Sequence, residues 1–316
     1  MPPPCPPAVW TLIGAAEPAA IAWGGLFVGL FGGLALFLFG LQQLSSALRA
    51  VAGDRMRALL ARLTRNRWMG AVTGAFVTAV IQSSSVTTVL VVGFVSAGLM
   101  TLTQSVGVIM GANVGTTITA QIIALEVTEY ALLLIAVGFA MAFLVKRERV
   151  RLWGAAILGL GLVFLGMNLM SDAVEPLKSY PPFLEAMAHL EHPALAILAG
   201  AVFTALVQSS SATAGVVIVL ASQGLIPLAA GIGVILGANV GTCVTAVLAS
   251  LGQPREAQRA ALVHVLFNVL GVLIWLPLMG TLADLVGAGA SATDGVAATP
   301  RRIANAHTIF NVANTI

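Results

Sequence analysis

The sequence TAVIQSSS at Thr78–Ser85 returns as TALVQSSS at Thr204–Ser211, 126 positions further along the chain. A second polar island, GANVGT at Gly111–Thr116, returns unchanged at Gly237–Thr242 with the same separation. Both islands lie in apolar surroundings. Internal repeats with interrupted apolar segments are typical of secondary transporters, so we look for function within the repeat.

The composition indicates an integral membrane protein. Of the 316 residues, 59% are hydrophobic and 9% are charged, which is far from the averages of soluble proteins. Trp68–Leu125 and Pro193–Pro254 contain no Asp, Glu, Lys or Arg. Each is longer than the roughly 20 residues of one helical span, so each holds more than one membrane segment. Cys5 and Cys243 differ too much in surroundings for a pairing argument, and we assign neither a disulfide nor a metal role.

Apolar runs predict where the helices lie. They cover about 24–47, 103–125, 130–145, 152–171, 227–250 and 261–280. We divide the chain into a leader (1–23), a first transmembrane repeat with its following helix (24–145), a second repeat with its following helix (146–280), and a loop with the start of a final helix (281–316). The leader lacks the basic start of a cleavable signal peptide. The final run, from Ile303 to Ile316, reaches about 21 Å, so we expect a longer native protein.

Each QSSS island is flanked by short apolar arms, which in the first copy are roughly 69–81 and 86–100. Arms of that length fall short of the bilayer thickness, and this favours a re-entrant helical hairpin over two full crossings. Each GANVGT island places two glycines four residues apart in an apolar run. Glycine tolerates open backbone, so an interrupted transmembrane helix with an unwound turn is expected there.

Loop charges predict the topology. If each hairpin re-emerges where it entered, three basic loops share one side of the membrane, and that side is cytoplasmic by the positive-inside rule. Three crossings then separate the two copies, so their orientations are opposite. We predict an all-α, polytopic membrane protein with two inverted repeats. The basic loops are Arg49–Arg67, Lys146–Arg151 and Gly252–Arg259.

The segment Leu48–Arg67 contains six arginines, including Arg49, interleaved with apolar residues. This pattern is typical of an amphipathic helix on the cytoplasmic surface. We interpret it as a contact with lipid headgroups, and a regulatory interaction is the alternative.

The QSSS islands are predicted to bind an anion. At a hairpin tip the backbone opens, and the N-terminus of the second arm offers partial positive charge and free N–H groups together with the hydroxyls. The second arms begin at about Ser85 and Ser211. The predicted anion-binding residues are Gln82, Ser83, Ser84, Ser85, Thr88, Gln208, Ser209, Ser210, Ser211 and Thr213, with Thr87 also in the first turn.

The GANVGT islands are predicted to bind a small hard cation such as sodium. An unwound turn would present carbonyl oxygens, and the side chains would add further neutral oxygens, by analogy with unwound-helix sodium sites. The residues concerned are Asn113, Thr116, Thr117, Asn239 and Thr242. No carboxylate is present to carry a proton, and no other metal or cofactor is predicted. Because the islands contain no Lys or Arg, an anion there would leave water at a high cost in free energy, which a co-bound cation lowers.

Each motif has a structural explanation as well. A GxxxG pattern is usually a packing face, and serines in membrane helices often bond to the preceding turn. Duplication of both islands in one register favours a binding site. His264 and His307 occur in a smaller echo, HVLFNV and HTIFNV. We interpret them as helix-packing or hydrogen-bonding positions, with a role in ion passage as the alternative.

At these residues the chain resembles the bacterial branch of the type II sodium/phosphate cotransporters. Gln82–Ser85 and Gln208–Ser211 are similar to the paired signature of that family, and the GANVGT islands are similar to its companion motif. The resemblance covers about Leu26 to Ile316. It implies sodium-coupled symport of inorganic phosphate, with the two signatures meeting near the membrane centre. Thr117 is matched by Cys243, a departure that puts equal ion ligation by both copies in doubt.

The resemblance also indicates partners. Phosphate, sodium and membrane lipid are expected, and nucleic acid is not. A homodimer is left open, as is a cytoplasmic phosphate-regulatory helical domain in a longer native chain.

Other functions are left open at this stage. The same architecture could export phosphate or carry another oxyanion, and a membrane phosphate sensor would bind without transporting. An intramembrane serine hydrolase using Ser84 or Ser210 with His264 is the alternative from another class. Catalysis of that kind needs one activated nucleophile beside one base, which duplicated triple serines fit poorly. We therefore predict that the protein is not an enzyme.

Overall fold

The computed structural model describes residues 21–52, 66–125, 127–288 and 298–316, and in these residues the regular structure is helical throughout. Short 3₁₀ segments precede α5, follow α6 and precede α13. The α-helices in chain order are α1 (Trp23–Ala52), α2 (Arg67–Ile81), α3 (Ser84–Ser96), α4 (Leu102–Ile123), α5 (Ala131–Leu144), α6 (Glu148–Val174), α7 (Pro181–His189), α8 (Pro193–Val207), α9 (Ser210–Ser222), α10 (Leu228–Gly241), α11 (Cys243–Ser250), α12 (Arg255–Trp275), α13 (Met279–Gly287) and α14 (Thr299–Thr315).

The prediction of an all-α membrane protein is confirmed. Within the described residues, five helical stretches are long and apolar enough to cross a bilayer, and a sixth is counted if α7 and α8, which meet at a bend of 102°, form one span. The leader prediction falls almost wholly on residues outside the described part. So does most of the predicted surface helix, although Leu48–Ala52 belongs to α1. Residues 281–287, predicted as loop, continue α13 because their apolar side chains pack inward at Leu282.

α1 and α6 form a tightly packed antiparallel pair. A Cβ atom on Gly33 would lie 2.7 Å from the carbonyl oxygen of Gly166, and one on Gly40 would lie 2.6 Å from the backbone nitrogen of Val163. Contacts this close require small residues. Because higher numbers in α1 meet lower numbers in α6, the end of α1 lies beside the start of α6. These two helices are equivalent in the repeat, and inversion of the whole repeat stays a prediction.

The arms of both hairpins are short. α2 and α8 have 15 residues each, and α3 and α9 have 13 each. At 1.5 Å per residue these helices are about 20 to 23 Å long, less than the roughly 30 Å of a bilayer core. Two short helices joined at a tight tip are what the re-entrant prediction requires.

Each first arm lies against the GANVGT helix of its own copy. A Cβ on Gly111 would strike the backbone of Ala71 in α2, and a Cβ on Gly237 would strike the backbone of Ile197 in α8. Ala71 and Ile197 are themselves 126 positions apart. The two copies therefore use one packing arrangement, in which these glycines permit backbone-to-backbone contact.

The prediction of an interrupted helix in each copy is wrong for the first copy. α4 runs without a break through Gly111–Thr116. Thr116 Oγ1 donates to the carbonyl of Ala112 and Asn113 Nδ2 donates to that of Ile109, so the polar side chains bond within the helix. The glycines serve close packing rather than unwinding. In the second copy the break is confined to Thr242, between α10 and α11.

Candidate functional site

Both hairpin tips turn through a left-handed glutamine. Gln82 has φ 59° and ψ 27°, and Gln208 has φ 60° and ψ 23°. Among the described residues they are the two non-glycine positions with positive φ. Each ends its helix with a backbone N–H bond of 2.7 Å, to the carbonyl of Thr78 or Thr204. A glutamine in this conformation is strained by about 1 kcal/mol or more, and such strain concentrates at functional sites.

The second arm of each hairpin begins with a serine cap. Ser83 Oγ accepts a hydrogen bond of 3.3 Å from the Val86 N–H, and Ser209 Oγ accepts one of 3.2 Å from the Ala212 N–H. The first N–H groups of a helix have no acceptor within the helix, and they carry its partial positive charge. α3 and α9 therefore each direct a positively polarised end toward the tip.

The predicted site threonines in the second arms hold the hairpins together. Thr78 donates to Thr87 over 2.9 Å, and the hydroxyls of Thr204 and Thr213 lie 2.5 Å apart. Thr87 and Thr213 each also donate to the carbonyl of the capping serine. Thr88 Oγ1 is buried without a hydrogen-bond partner. The structure thus places Thr213 in the bracing of the arms, and Thr88 in the interior of α3.

The two QSSS motifs, which are 126 residues apart in sequence, line one cavity of about 240 Å³. This confirms that they meet. Helix α1 and Thr116 of α4 form the rest of the wall. The lining residues are Leu38, Leu41, Gln42, Ser45, Arg49, Gln82, Ser83, Ser84, Ser85, Thr116, Gln208, Ser209, Ser210 and Ser211.

The expectation of a site without Lys or Arg is wrong, because Arg49 lines the cavity. Its Nη2 donates to Ser45 Oγ over 2.7 Å, and its Nε donates to the Ser45 carbonyl. Ser45 Oγ in turn donates to the Ile81 carbonyl at the end of α2. Arg49 was assigned from sequence to a surface helix, but α1 continues to Ala52 and carries it to the edge of the site.

The residues predicted to bind sodium do not lie together in the structure. Of the five, Thr116 lines the described cavity and the other four lie outside its wall. Asn239 is bonded to α14, where its Oδ1 lies 3.1 Å from His307 Nε2 and its Nδ2 donates to Asn311 Oδ1 over 3.1 Å. Thr117 and Thr242 donate to carbonyls three residues earlier. The unwound carbonyl cage expected in the first copy is missing, because α4 is continuous there.

The buried histidines occupy helix interfaces, as the packing interpretation expects. His307 bonds to Asn239, and Asn311 Nδ2 donates to the His307 carbonyl. His264 is fully buried in α12, and its carbonyl accepts from Asn268 Nδ2 and lies 3.6 Å from Cys243 Sγ.

The sequence analysis missed two threonines, on α4 and α11, that contact the first tip. Thr119 Oγ1 donates to Gln82 Oε1 over 2.8 Å, and Thr245 Oγ1 lies 3.3 Å from Ser85 Oγ. Their separation of 126 residues was a signal that could have identified them.

Two short helical hairpins bring paired serine tips into one cavity, in a chain with several helices long and apolar enough to cross a membrane, and this arrangement is typical of a secondary transporter. The chain matches the family model described as Na+/Pi-cotransporter over residues 36–172 and 182–289. It belongs to the sodium/phosphate cotransporter family, whose members are transporters rather than enzymes.

Relatives support this membership. The chain is 32% identical to "Uncharacterized protein YqeW" of Bacillus subtilis (strain 168), over 79% of this chain and 81% of YqeW. It is 31% identical to "Putative inorganic phosphate export protein YjbB" of Escherichia coli (strain K12), over 82% of this chain and 48% of YjbB. "Sodium-dependent phosphate transport protein 2B" of Homo sapiens is 40% identical over 32% of this chain and 15% of its own length. No solved structure matches the chain.

Proposed function

We propose that the protein transports inorganic phosphate across the bacterial inner membrane in symport with sodium, by alternating access of one central cavity between two inverted halves. The single observation that carries the proposal is that both QSSS tips line one cavity with Arg49 at its edge. Two positively polarised helix ends and a guanidinium suit a phosphate dianion.

The hydrogen-bonding groups around the cavity favour a tetrahedral oxyanion. Serine hydroxyls and the first N–H groups of α3 and α9 surround the space from two sides, and Arg49 uses two of its donor nitrogens on Ser45. The remaining guanidinium N–H groups are available to an anion. Such a set of donors from several directions matches the acceptors of phosphate.

Sodium coupling is supported by the family. One guanidinium and two helix ends offset much of the charge of a dianion only as partial and shared charges, and a cation bound next to phosphate would lower the free energy of the loaded site further. Thr116 is the predicted sodium residue that lines the cavity. We propose that sodium binds beside it, next to phosphate.

The Arg49 edge of the cavity lies at the end of α1, beside the start of α6. The first turn of α6 overlaps the basic segment Lys146–Arg151. By the positive-inside rule this edge faces the cytoplasm, so we assign the conformation to an inward-facing state. Phosphate export is the second candidate, because YjbB is named as an export protein.

Flux into proteoliposomes tests the proposal. Phosphate uptake should rise with an inward sodium gradient and stay at background with an equal potassium gradient. Equal rates in the two salts would exclude sodium coupling, and no phosphate flux in either salt and in either direction would exclude transport. Liposomes loaded with phosphate and given an outward sodium gradient measure the opposite direction, while sulfate and arsenate as competitors test the choice of oxyanion.

Serine variants test whether the hairpin tips bind the transported phosphate. Ser84→Ala and Ser210→Ala should each raise the apparent KM for phosphate about five-fold, which corresponds to one lost hydrogen bond of about 1 kcal/mol. Ser222→Ala is the matched control, since Ser222 lies at the other end of α9 and donates to the Val219 carbonyl. An unchanged KM in both tip variants would remove the tips from the substrate site.

A further inference from the structure

The repeat allows each contact at one tip to be compared with its counterpart 126 residues away. Most contacts are the same in the two copies. The Thr78–Thr87 bond is repeated as Thr204–Thr213, and both capping serines accept from the N–H three residues later. The glutamine side chains of both tips also donate to the carbonyl three residues earlier.

The outward contacts of the two tips differ. Gln82 is buried, and its Oε1 accepts from Thr119 over 2.8 Å. Gln208 has the same backbone conformation, but its side chain is exposed. Thr245, the counterpart of Thr119, lies 3.3 Å from Ser85 in the opposite hairpin. Both threonines therefore hold the first hairpin.

The difference coincides with the break in the second copy. Thr116 bonds to the carbonyl four residues earlier in a continuous helix, whereas its counterpart Thr242 bonds to the carbonyl three residues earlier at the end of α10. Thr245 then donates to the Thr242 carbonyl over 2.7 Å. The second copy is therefore broken at Thr242, three residues before Thr245, whereas α4 is continuous at Thr116.

We propose that Thr119 and Thr245 are positioning residues that exchange partners between the two states of the transport cycle. In the opposite state, Thr245 bonds to Gln208, while Thr119 leaves Gln82 and contacts Ser211. The inference rests on the proposed alternating access between inverted halves, because such halves exchange conformations when the cavity changes sides.

The exchange conserves the contacts. Each state has one threonine–glutamine bond and one threonine–serine contact, so neither state gains a hydrogen bond over the other. A transporter needs two states of similar free energy, since a large gap would trap it in one of them. The duplicated set provides this balance with the residues already at the tips.

Single substitutions upset the balance in opposite directions. Thr119→Val removes the 2.8 Å bond to Gln82 from this state and the longer serine contact from the other, so it disfavours this state. Thr245→Val removes the serine contact from this state and the glutamine bond from the other, so it favours this state. A general packing defect would not reverse sign between the two variants.

Cysteine accessibility measures the two populations. The background carries Cys5→Ala and Cys243→Thr, the latter because Thr117 is its counterpart. Gln42→Cys, in the cavity wall, reports this state when a membrane-impermeant thiol reagent is applied at the face where α1 ends. Asn168→Cys, the counterpart of Gln42, reports the other state from the opposite face.

With no phosphate present, Thr119→Val should lower the ratio of the labelling rate at Gln42→Cys to that at Asn168→Cys by up to about five-fold, the change in the equilibrium constant for a net loss of one hydrogen bond. Thr245→Val should do the reverse, and the double variant should return close to the background rates. Thr119→Ser keeps the hydroxyl and should behave as the background.

Shifts in the same direction for both valine variants, or no shift in either, would overturn the exchange. Because labelling needs neither phosphate nor sodium, the result is separate from the flux assay. A failed flux assay with opposite labelling shifts would remove the substrate and leave the exchange standing.

Discussion

Arg49 Nη2 donates to Ser45 Oγ over 2.7 Å, one helical turn back along α1. Ser45 in turn donates to the carbonyl of Ile81, immediately before the first tip. The one cationic side chain in the wall of the described cavity is thus linked to the hairpin through a single hydroxyl. We therefore expect a movement of the tip to shift the position of the guanidinium.

Replacing Arg49 should weaken phosphate binding. Arg49→Gln should raise the apparent KM for phosphate about ten-fold or more, because a hydrogen bond to a charged group contributes about 1.5 to 3 kcal/mol. Arg49→Lys should recover part of this, since lysine keeps the charge but lacks the planar fork of donors. Arg147→Gln, at the exposed start of α6, is the control with an expected KM near wild type. An unchanged KM in Arg49→Gln would remove Arg49 from the site.

Tip strain makes a prediction about stability. Gln82→Ala keeps a left-handed non-glycine residue and loses the Thr119 bond, whereas Gln82→Gly loses the bond but relieves the strain. The glycine variant should be about 1 kcal/mol more stable than the alanine variant in thermal unfolding in detergent.

Gln208 provides the matched comparison for that measurement. Its backbone is equally left-handed, but its side chain is exposed. Gln208→Ala should therefore destabilise less than Gln82→Ala. Equal losses at the two glutamines would contradict the assigned Thr119 bond.

Alanine at the close helix contacts should prevent correct packing. A Cβ at Gly111 or Gly237 meets backbone atoms of the neighbouring arm, which cannot move aside as a flexible side chain can. Gly111→Ala and Gly237→Ala should destabilise by about 1 to 3 kcal/mol or more, seen as a loss of monodisperse protein in size-exclusion chromatography. Gly93→Ala is the control, because a Cβ there meets nothing within 4 Å. A normal yield for both variants would argue against the packing described.

Substitution of Asn239 tests whether its side chain binds sodium or stabilises the packing of α10 against α14. Both ends of its carboxamide are bonded to α14, so Asn239→Ala should lower the melting temperature by leaving His307 and Asn311 without these partners. Thr116→Val should raise the half-saturating sodium concentration more than Asn239→Ala does, because Thr116 lines the cavity. The reverse order in sodium dependence would restore Asn239 as the principal ligand.

Much of the fold was predictable because the sequence carries it twice. The arms predicted at 69–81 and 86–100 appear as α2 (Arg67–Ile81) and α3 (Ser84–Ser96). The lengths of the apolar runs indicate the lengths of the two arms, and the polar island between them indicates the position of the turn. The meeting of the two QSSS tips was implied by the family resemblance. The repeat does not predict the structural differences between its two copies.

The errors concern residues whose role depends on neighbours distant in sequence. Glycines at Gly111 and Gly115 are compatible with unwinding or with packing, and the presence of α2 against them decides for packing. Arg49 was grouped with the arginines that follow it, because the pattern does not show how far α1 extends. Asn239 has side-chain partners on α14, 68 and 72 residues further along the chain, and no local pattern indicates them.

Gly111 and Gly237 are equivalent positions at which neither half has room for a side chain. Thr117 and Cys243 show that equivalent positions can diverge after duplication, yet any side chain at the two glycines meets the backbone of the arm beside it. Each glycine seats only the hairpin of its own half, so an intact partner half cannot compensate for a damaged one. The two halves therefore carry two separate packing requirements, and neither copy is redundant with the other.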